Sequence, residues 1–279
     1  MLAKLFLNLT DYPAFRRIMW KPIYEMLAKK IRIDNWQFMN YGYAASTQEV
    51  PAILEFADEM NRYPIQLYHY LSSKVNVAGL DMLEVGCGRG GGAAYIKKYL
   101  GPKHMTGLDI AHNAVKLASR QHVSDGLHYL QGNAERLPFE DESFDVVINV
   151  ESCHAYGSVP KFLSEVKRVL RPNGYFLITD MRGSNGMKTL KTNLLKSELE
   201  LLSEEDITKN VVEAIEKEEV AKQARIASGI PKWFQKIFKE FAGVKGSRIY
   251  EELRSNELIY HRFVMQKRAA IVPTIATMI

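Results

Sequence analysis

Short apolar runs and amphipathic stretches alternate through the middle of the chain, and the runs end at turn residues. Met82 to Val85 is mostly apolar and stops at Gly86, which predicts a buried strand within 80–86. Similar runs predict strands over 104–109, 127–131, 144–150 and 174–180. Between them, apolar positions at helical spacing predict helices over 91–100, 111–124 and 158–169. This alternation predicts a doubly wound, mostly parallel α/β sheet. Right-handed crossovers then gather the loops that follow the strands at one edge, where ligands bind.

The flanks read differently. Residues 13–32 set Phe15, Ile18, Met19, Ile23, Met26 and Leu27 against Arg16, Arg17, Lys21, Lys29 and Lys30, an amphipathic basic helix. It suits peripheral contact with a membrane surface or packing over the sheet. The mixed, interrupted stripe favours packing. An aromatic-rich loop follows at 35–45, then a helix predicted from Thr47 to Leu71 with Thr47 as its cap. Beyond Asp180 the pattern over 186–242 (Leu194, Leu195, Leu199, Leu202, then Val211, Val212, Ile215) predicts a mostly helical insertion, a lid. Residues 247–256 read as a helix and 258–266 as a late strand. The chain thus divides into an N-terminal helical cap (1–75), an α/β core (76–185), a helical lid (186–246) and a C-terminal segment completing the core (247–279). The tail from Ala269 is apolar and has no evident partner in the sequence pattern.

Composition narrows the partners. The 279 residues carry a net charge of +5, with no dense Lys/Arg block and no aromatic–basic interleaving, which argues against nucleic acid. Cys87 and Cys153 are the two cysteines, and no C-x-x-C or H-E-x-x-H occurs, so a disulfide framework or a metal is not expected. The apolar start, Met1 to Leu9, is short and lacks a cleavage pattern, and no apolar run is long enough to span a bilayer. A cytoplasmic protein is the expectation.

The chemistry concentrates after the first strand. Gly86, Gly88 and Gly90 follow it at alternate positions and lead into a helix, the layout of a nucleotide crevice. Gly86-Cys-Gly-Arg-Gly-Gly91 also matches the dinucleotide fingerprint, so this loop alone leaves the cofactor open. Asp109 ends the second strand, 23 residues after Gly86, where an acid takes a ribose diol or caps the next helix. Glu84 braces the loop, meets an ammonium group of the ligand, or forms a sheet-edge salt bridge. His154, just past the fourth strand at the ligand edge, is a candidate base, since histidine titrates near neutrality.

Five segments in order carry a resemblance: Glu84-Val-Gly-Cys-Gly-Arg-Gly90, Gly107-Leu-Asp109, Gly132-Asn-Ala-Glu-Arg-Leu-Pro-Phe139, Ser143-Phe-Asp-Val-Val147 and Leu170-Arg-Pro-Asn-Gly174. Together they resemble the class I S-adenosylmethionine-dependent methyltransferases, over residues 80–180. The Leu-Pro-Phe and Leu-Arg-Pro-Asn-Gly elements are not expected of a dinucleotide oxidoreductase. The resemblance implies a Rossmann-like fold with S-adenosyl-L-methionine as cofactor. Gly86, Gly88 and Gly90 would line its methionine part, and Asp109 with Ile110 its ribose. Asn133, where many relatives have Asp, and Ala134 would meet the adenine edge. Asn149 would lie beside the cofactor or serve as a polar strand cap. Tyr41-Gly42-Tyr43 resembles the N-terminal loop that closes over the cofactor, with at least one of the two rings, Tyr43 first, in contact, or both in plain hydrophobic packing.

The segment from Val150 to Tyr156 resembles the corresponding loop of sterol, phthiotriol-type and natural-product methyltransferases. In some O-methylating relatives a histidine there pairs with an acid after the fifth strand. Asp180 holds that place, as orienting partner of His154 or as a turn cap. The expected function is methyl transfer to a small, largely apolar acceptor (a lipid, polyketide or terpenoid) at a hydroxyl oxygen, with His154 as base. Glu151 is a second candidate base. Trp233, Phe234, Ile237 and Phe238 would wall the acceptor pocket or form a plain core stripe. C-methylation, and cofactor binding without methyl transfer as in a cyclase or binding module, are the alternatives. The sequence leaves the oligomeric state open.

Overall fold

The computed structural model describes residues 36–269. The basic helix at 13–32, the opening nine residues and the apolar tail lie outside the described residues. A 3-10 turn, Phe56–Asn61, leads into α1 (Arg62–Ser72). The core then runs β1 (Asp81–Val85), α2 (Gly91–Leu100), β2 (His104–Asp109), α3 (His112–Gln121), β3 (Leu127–Gln131), β4 (Phe144–Val150), α4 (Val159–Val169) and β5 (Leu170–Gly183). After these come α5 (Ser184–Lys196), β6 (Glu200–Asp206), α6 (Thr208–Gly229), α7 (Lys232–Phe241), α8 (Arg248–Arg254) and β7 (Leu258–Gln266).

Among the described residues the strands form one seven-stranded sheet in the order β3-β2-β1-β4-β5-β7-β6. The first five are mutually parallel; β7 is antiparallel to both β5 and β6. Successive strand side chains go to opposite faces, and the core divides accordingly. Met82, Val146, Ile148, Leu177 and Val264 join a cluster with α1, α2, α6 and α8 (Leu67, Ile96, Val211, Leu253). Leu83, Val147, Phe176, Phe263 and Met265 join the opposite one with α4 and α5 (Phe162, Val166, Leu190, Leu194). Strand order reverses between the parallel neighbours β1 and β4, and a crevice opens there beyond their C-terminal ends.

Three predicted elements differ most. The strand expected over 174–180 runs Leu170–Gly183, so Asp180 lies inside it and not at its end. The helix expected from Thr47 starts at Arg62. Pro51 has no N–H to give a helix, and the next N–H, of Ala52, donates to Gln66 Oε1 at 2.8 Å instead. Pro64 is accommodated in the first turn of α1, where a missing donor costs nothing. The stretch read as a mostly helical insertion contains β6, and β6 extends the sheet beside β7, with α5 packed below. Its sequence, Glu-Leu-Leu-Ser-Glu-Glu-Asp, hides this because an edge strand does not alternate cleanly: acidic side chains blunt the open edge. Those acids pair across to β7, Glu204 with His261 and Glu205 with Arg262.

Candidate active site

The crevice is built by chain ends that the sheet brings together. Gly86, Cys87, Gly88, Arg89 and Gly92 come from the β1–α2 loop, and Asp109 and Ile110 from the end of β2. Asn133, Ala134 and Glu135 follow β3; Glu151, Ser152 and Tyr156 follow β4; Trp36 to Asn40 lie across the top. Asp109 organises the floor. Its Oδ2 accepts the Gly88 N–H at 2.9 Å and its Oδ1 the Ala111 N–H at 2.8 Å. One carboxylate thus holds the glycine loop and the start of α3 together.

The three spaced glycines have different duties. Gly88, at φ +52°, faces the crevice, and a Cβ there would meet only Met39 Sδ at 3.4 Å. Gly86 also borders the crevice, but its missing Cβ makes room for Ser152, whose Oγ lies 1.8 Å from that position. Gly90 is not among the lining residues. At φ +83° it starts α2, and Ala118 Cβ and the Tyr129 ring, both 2.7 Å from the Cβ position, fill its space.

Ile110 and Ala134 border the crevice as expected. Asn133 does too, with its Oδ1 accepting the Glu135 N–H at 2.9 Å in a local turn. Three other expected contacts lie elsewhere. Asn149 is fully buried and works as a clamp. Its Nδ2 donates to Val85 O and to Tyr156 Oη, and its Oδ1 accepts the Cys153 N–H. Tyr43 stacks on Tyr70 with ring centroids 4.2 Å apart and donates its hydroxyl to Glu49, away from the crevice. Gly42 between them adopts φ +85°, and it is Tyr41 that reaches a site residue, through its N–H to Glu151 Oε1, although neither tyrosine lines the crevice. Glu84 lies beneath the loop, fully buried, with the Tyr68 hydroxyl 2.6 Å from its Oε1. Of the proposed acceptor walls, the side chains of Trp233, Phe234 and Ile237 lie outside the described residues. Phe238 is buried, edge-on to Trp36 at 4.7 Å.

His154 and Asp180 are brought together. His154 sits on a 3-10 turn after β4 (Cys153–Ala155), and Asp180 is fully buried on the adjacent β5. His154 Nδ1 lies 2.9 Å from Asp180 Oδ1. Asp180 Oδ1 also accepts the Met181 N–H, while Oδ2 accepts the Cys153 thiol and pairs with Arg182 at 3.1 Å. His154 is not itself among the residues lining the crevice, although its neighbours Ser152 and Ala155 are. Glu151 is. It adopts φ +46°, a strained left-handed conformation for a glutamate and a frequent mark of functional sites. Its Oε1 accepts the Tyr41 N–H at 2.9 Å and the Tyr260 hydroxyl at 2.7 Å. Burial pushes its carboxyl up to about 8, against the lowering effect of those two donors. The strain and enclosure of Glu151 have no linear signature, so residue type and position rank it behind His154. Arg89 inside the glycine loop also lines the crevice, and its spacing in the motif carries no signal of that.

Comparison with known proteins places this geometry. Residues 83–178 match a family model described as a methyltransferase domain. The chain is 37% identical over 256 residues to the phthiotriol/phenolphthiotriol dimycocerosates methyltransferase of Mycobacterium leprae, covering 91% of this chain and 93% of that one. It is 38% identical over 252 residues to the fatty-acid O-methyltransferase of Mycolicibacterium smegmatis, covering 89% and 90%. The chain is a class I S-adenosylmethionine-dependent methyltransferase.

Solved structures share the fold at lower identity. The [4+2]-cyclase SpnF superposes with a TM-score of 0.70 at 17% identity, covering 91% of this chain and 96% of that one. Geranyl diphosphate C-methyltransferase from Streptomyces coelicolor A3(2), solved with S-adenosyl-L-homocysteine, gives 0.65 at 15% identity, covering 90% and 97%. Among the described residues, no helix of this methyltransferase is long and apolar enough to cross a membrane.

Glu84 gives the methyltransferase a pH-dependent stability. Burial raises its carboxyl from 4.5 to about 7, partly opposed by the Tyr68 hydroxyl. The folded protein therefore holds this proton more tightly than the unfolded chain. Between about pH 4.5 and 7 the contribution is lost as pH rises, on the order of 3 kcal/mol at most. Urea unfolding at pH 5 and pH 8 should show Glu84→Gln gaining on the wild type at the higher pH. An equal gap at both values would refute this reading of the carboxyl.

Proposed function

We propose that the enzyme methylates a hydroxyl oxygen of a small, largely apolar lipid acceptor, with His154 as general base and Asp180 as its orienting partner. The observation that carries this is the 2.9 Å contact between His154 and Asp180 at the crevice edge. The lipid-directed names of the two relatives support the acceptor class.

The residues fit the cofactor. Asp109 offers a carboxylate for the ribose hydroxyls, the peptide groups around Gly88 approach without a side chain between, and Asn133 and Ala134 flank the adenine end. When bound, S-adenosylmethionine supplies an electrophilic methyl group on a sulfonium. The protein's own work is then to orient the acceptor, exclude water and take a proton. His154 takes the hydroxyl proton. Asp180 fixes the tautomer through Nδ1, and Arg182 and Cys153 hold Asp180 in place. Phe38, Tyr41, Ile226 and Phe238 wall one side of a second recess that shares Trp36, Phe38, Met39 and Asn40 with the crevice, while Glu218, Lys222 and Arg225 make its other side charged.

A second reading rests on Glu151. A carboxylate that lines the crevice also suits C-methylation, where an acid takes the proton lost from carbon. The test is incubation with S-adenosylmethionine and a panel of long-chain alcohols, phenolic lipids, fatty acids and isoprenoids. S-adenosylhomocysteine release and product masses are the readout. An O-methyl ether supports the first reading. A C-methyl product overturns it in favour of the second, and acceptor turnover without S-adenosylhomocysteine would indicate a non-methylating enzyme.

A further inference from the structure

Arg89 lies between Gly88 and Gly90 in the loop joining β1 to α2. It is 4% exposed, and its Nε and Nη1 have no hydrogen-bond partner among the described residues. Its guanidinium rests over the Trp36 ring, 5.2 Å from the centroid, and both residues line the crevice. No ion pair to Arg89 occurs among the described residues. Burial alone lowers its pKa, to about 10, so it remains a cation at neutral pH. A buried cation without a counter-ion is costly, and an aromatic face offsets only part of that cost. The positive end of α2, which begins at Gly91, adds to the field on the same side. The other buried arginine among the described residues, Arg262, is paired with Glu205.

We infer that Arg89, stacked on Trp36, is the receptor for an anionic group in the crevice, and that this group is the α-carboxylate of the cofactor's methionine moiety. The choice of the cofactor over the acceptor rests on the proposed placement of that moiety along the glycine loop. Arg89 shares this loop with Gly88, whose N–H is held by Asp109 at the proposed ribose position. A planar guanidinium matches a carboxylate through two parallel N–H donors. Trp36 also meets Phe238 of α7, so the anion site is continuous with the wall of the second recess.

The test compares two ligands by calorimetric titration. S-adenosylhomocysteine carries the carboxylate. 5′-Methylthioadenosine keeps the adenine, ribose and thioether and lacks the amino-acid group. In Arg89→Met, affinity for S-adenosylhomocysteine should fall about 10- to 100-fold while that for methylthioadenosine stays within about twofold. The unliganded variant should unfold at the same temperature as wild type or higher, since an unpaired buried charge is gone. Unchanged S-adenosylhomocysteine affinity, or equal losses for both ligands, would overturn the inference. Should the variant not fold, the wild type decides alone. It should bind decarboxylated S-adenosylhomocysteine about 10- to 100-fold more weakly than the parent compound, and equal affinity overturns the inference. Wild type that binds none of these ligands would overturn the cofactor placement as well.

Discussion

Replacing His154 with alanine is expected to lower kcat for a hydroxyl acceptor about 100- to 10,000-fold, the usual contribution of a positioned general base. Affinity for S-adenosylhomocysteine should stay within about twofold, because His154 is not among the residues lining the crevice. Asp180→Asn should give a smaller loss in kcat. The amide keeps a contact to Nδ1 but no longer fixes the tautomer, and it loses its ion pair with Arg182. The competing base makes an opposite demand. The Glu151 carboxyl, raised to about 8 by burial, is mostly protonated below that pH and charged above it. Were Glu151 the base, kcat/KM would climb as pH rises through about 8, and Glu151→Gln would remove the climb. Retention of wild-type kcat by His154→Ala, together with a break near pH 8 that Glu151→Gln abolishes, would transfer the role to Glu151. Loss of kcat in His154→Ala, with an unmoved pH profile in Glu151→Gln, would leave Glu151 as a wall of the site.

The sheet was legible because its strands are apolar runs with sharp punctuation. Those over 104–109, 127–131, 144–150 and 258–266, and the helix over 91–100, have the predicted bounds. An edge strand studded with glutamates carries no such signal, so β6 read as helix. The site was legible at the level of which loops meet. Strand order alone places the residues after β4 beside the C-terminal half of β5, and His154 and Asp180 meet accordingly. What each side chain touches was less legible. A glycine's spacing cannot tell whether its missing Cβ leaves room for a ligand, as at Gly88, or for Tyr129 and Ala118, as at Gly90. Tyr43 is held by Tyr70 and Glu49, and the Asn149 amide is consumed by Val85, Cys153 and Tyr156. These outcomes depend on pairs more than 15 residues apart as well as on close neighbours, and periodicity does not encode them.

Asp109→Ala is expected to weaken S-adenosylmethionine and S-adenosylhomocysteine about 100-fold or more. Hydrogen bonds to a charged group contribute about 1.5–3 kcal/mol each, and a ribose diol offers two. The carboxylate also tethers Gly88 and Ala111 by their N–H groups, so its removal loosens both the β1–α2 loop and the start of α3. Asp109→Asn separates the two effects. One oxygen still accepts a loop N–H, but the amide nitrogen faces a second donor, so the tether is half kept and the charge is lost. Affinity for Asp109→Asn should therefore fall between wild type and alanine, with less loss of thermal stability than the alanine variant. The ligand pair that tests Arg89 locates this contact too. Methylthioadenosine keeps the ribose, so Asp109→Ala should lose it as severely as S-adenosylhomocysteine, whereas Arg89→Met should lose only the latter. Methylthioadenosine binding unchanged in Asp109→Ala would place the ribose away from β2 and undo the proposed orientation of the cofactor along the crevice.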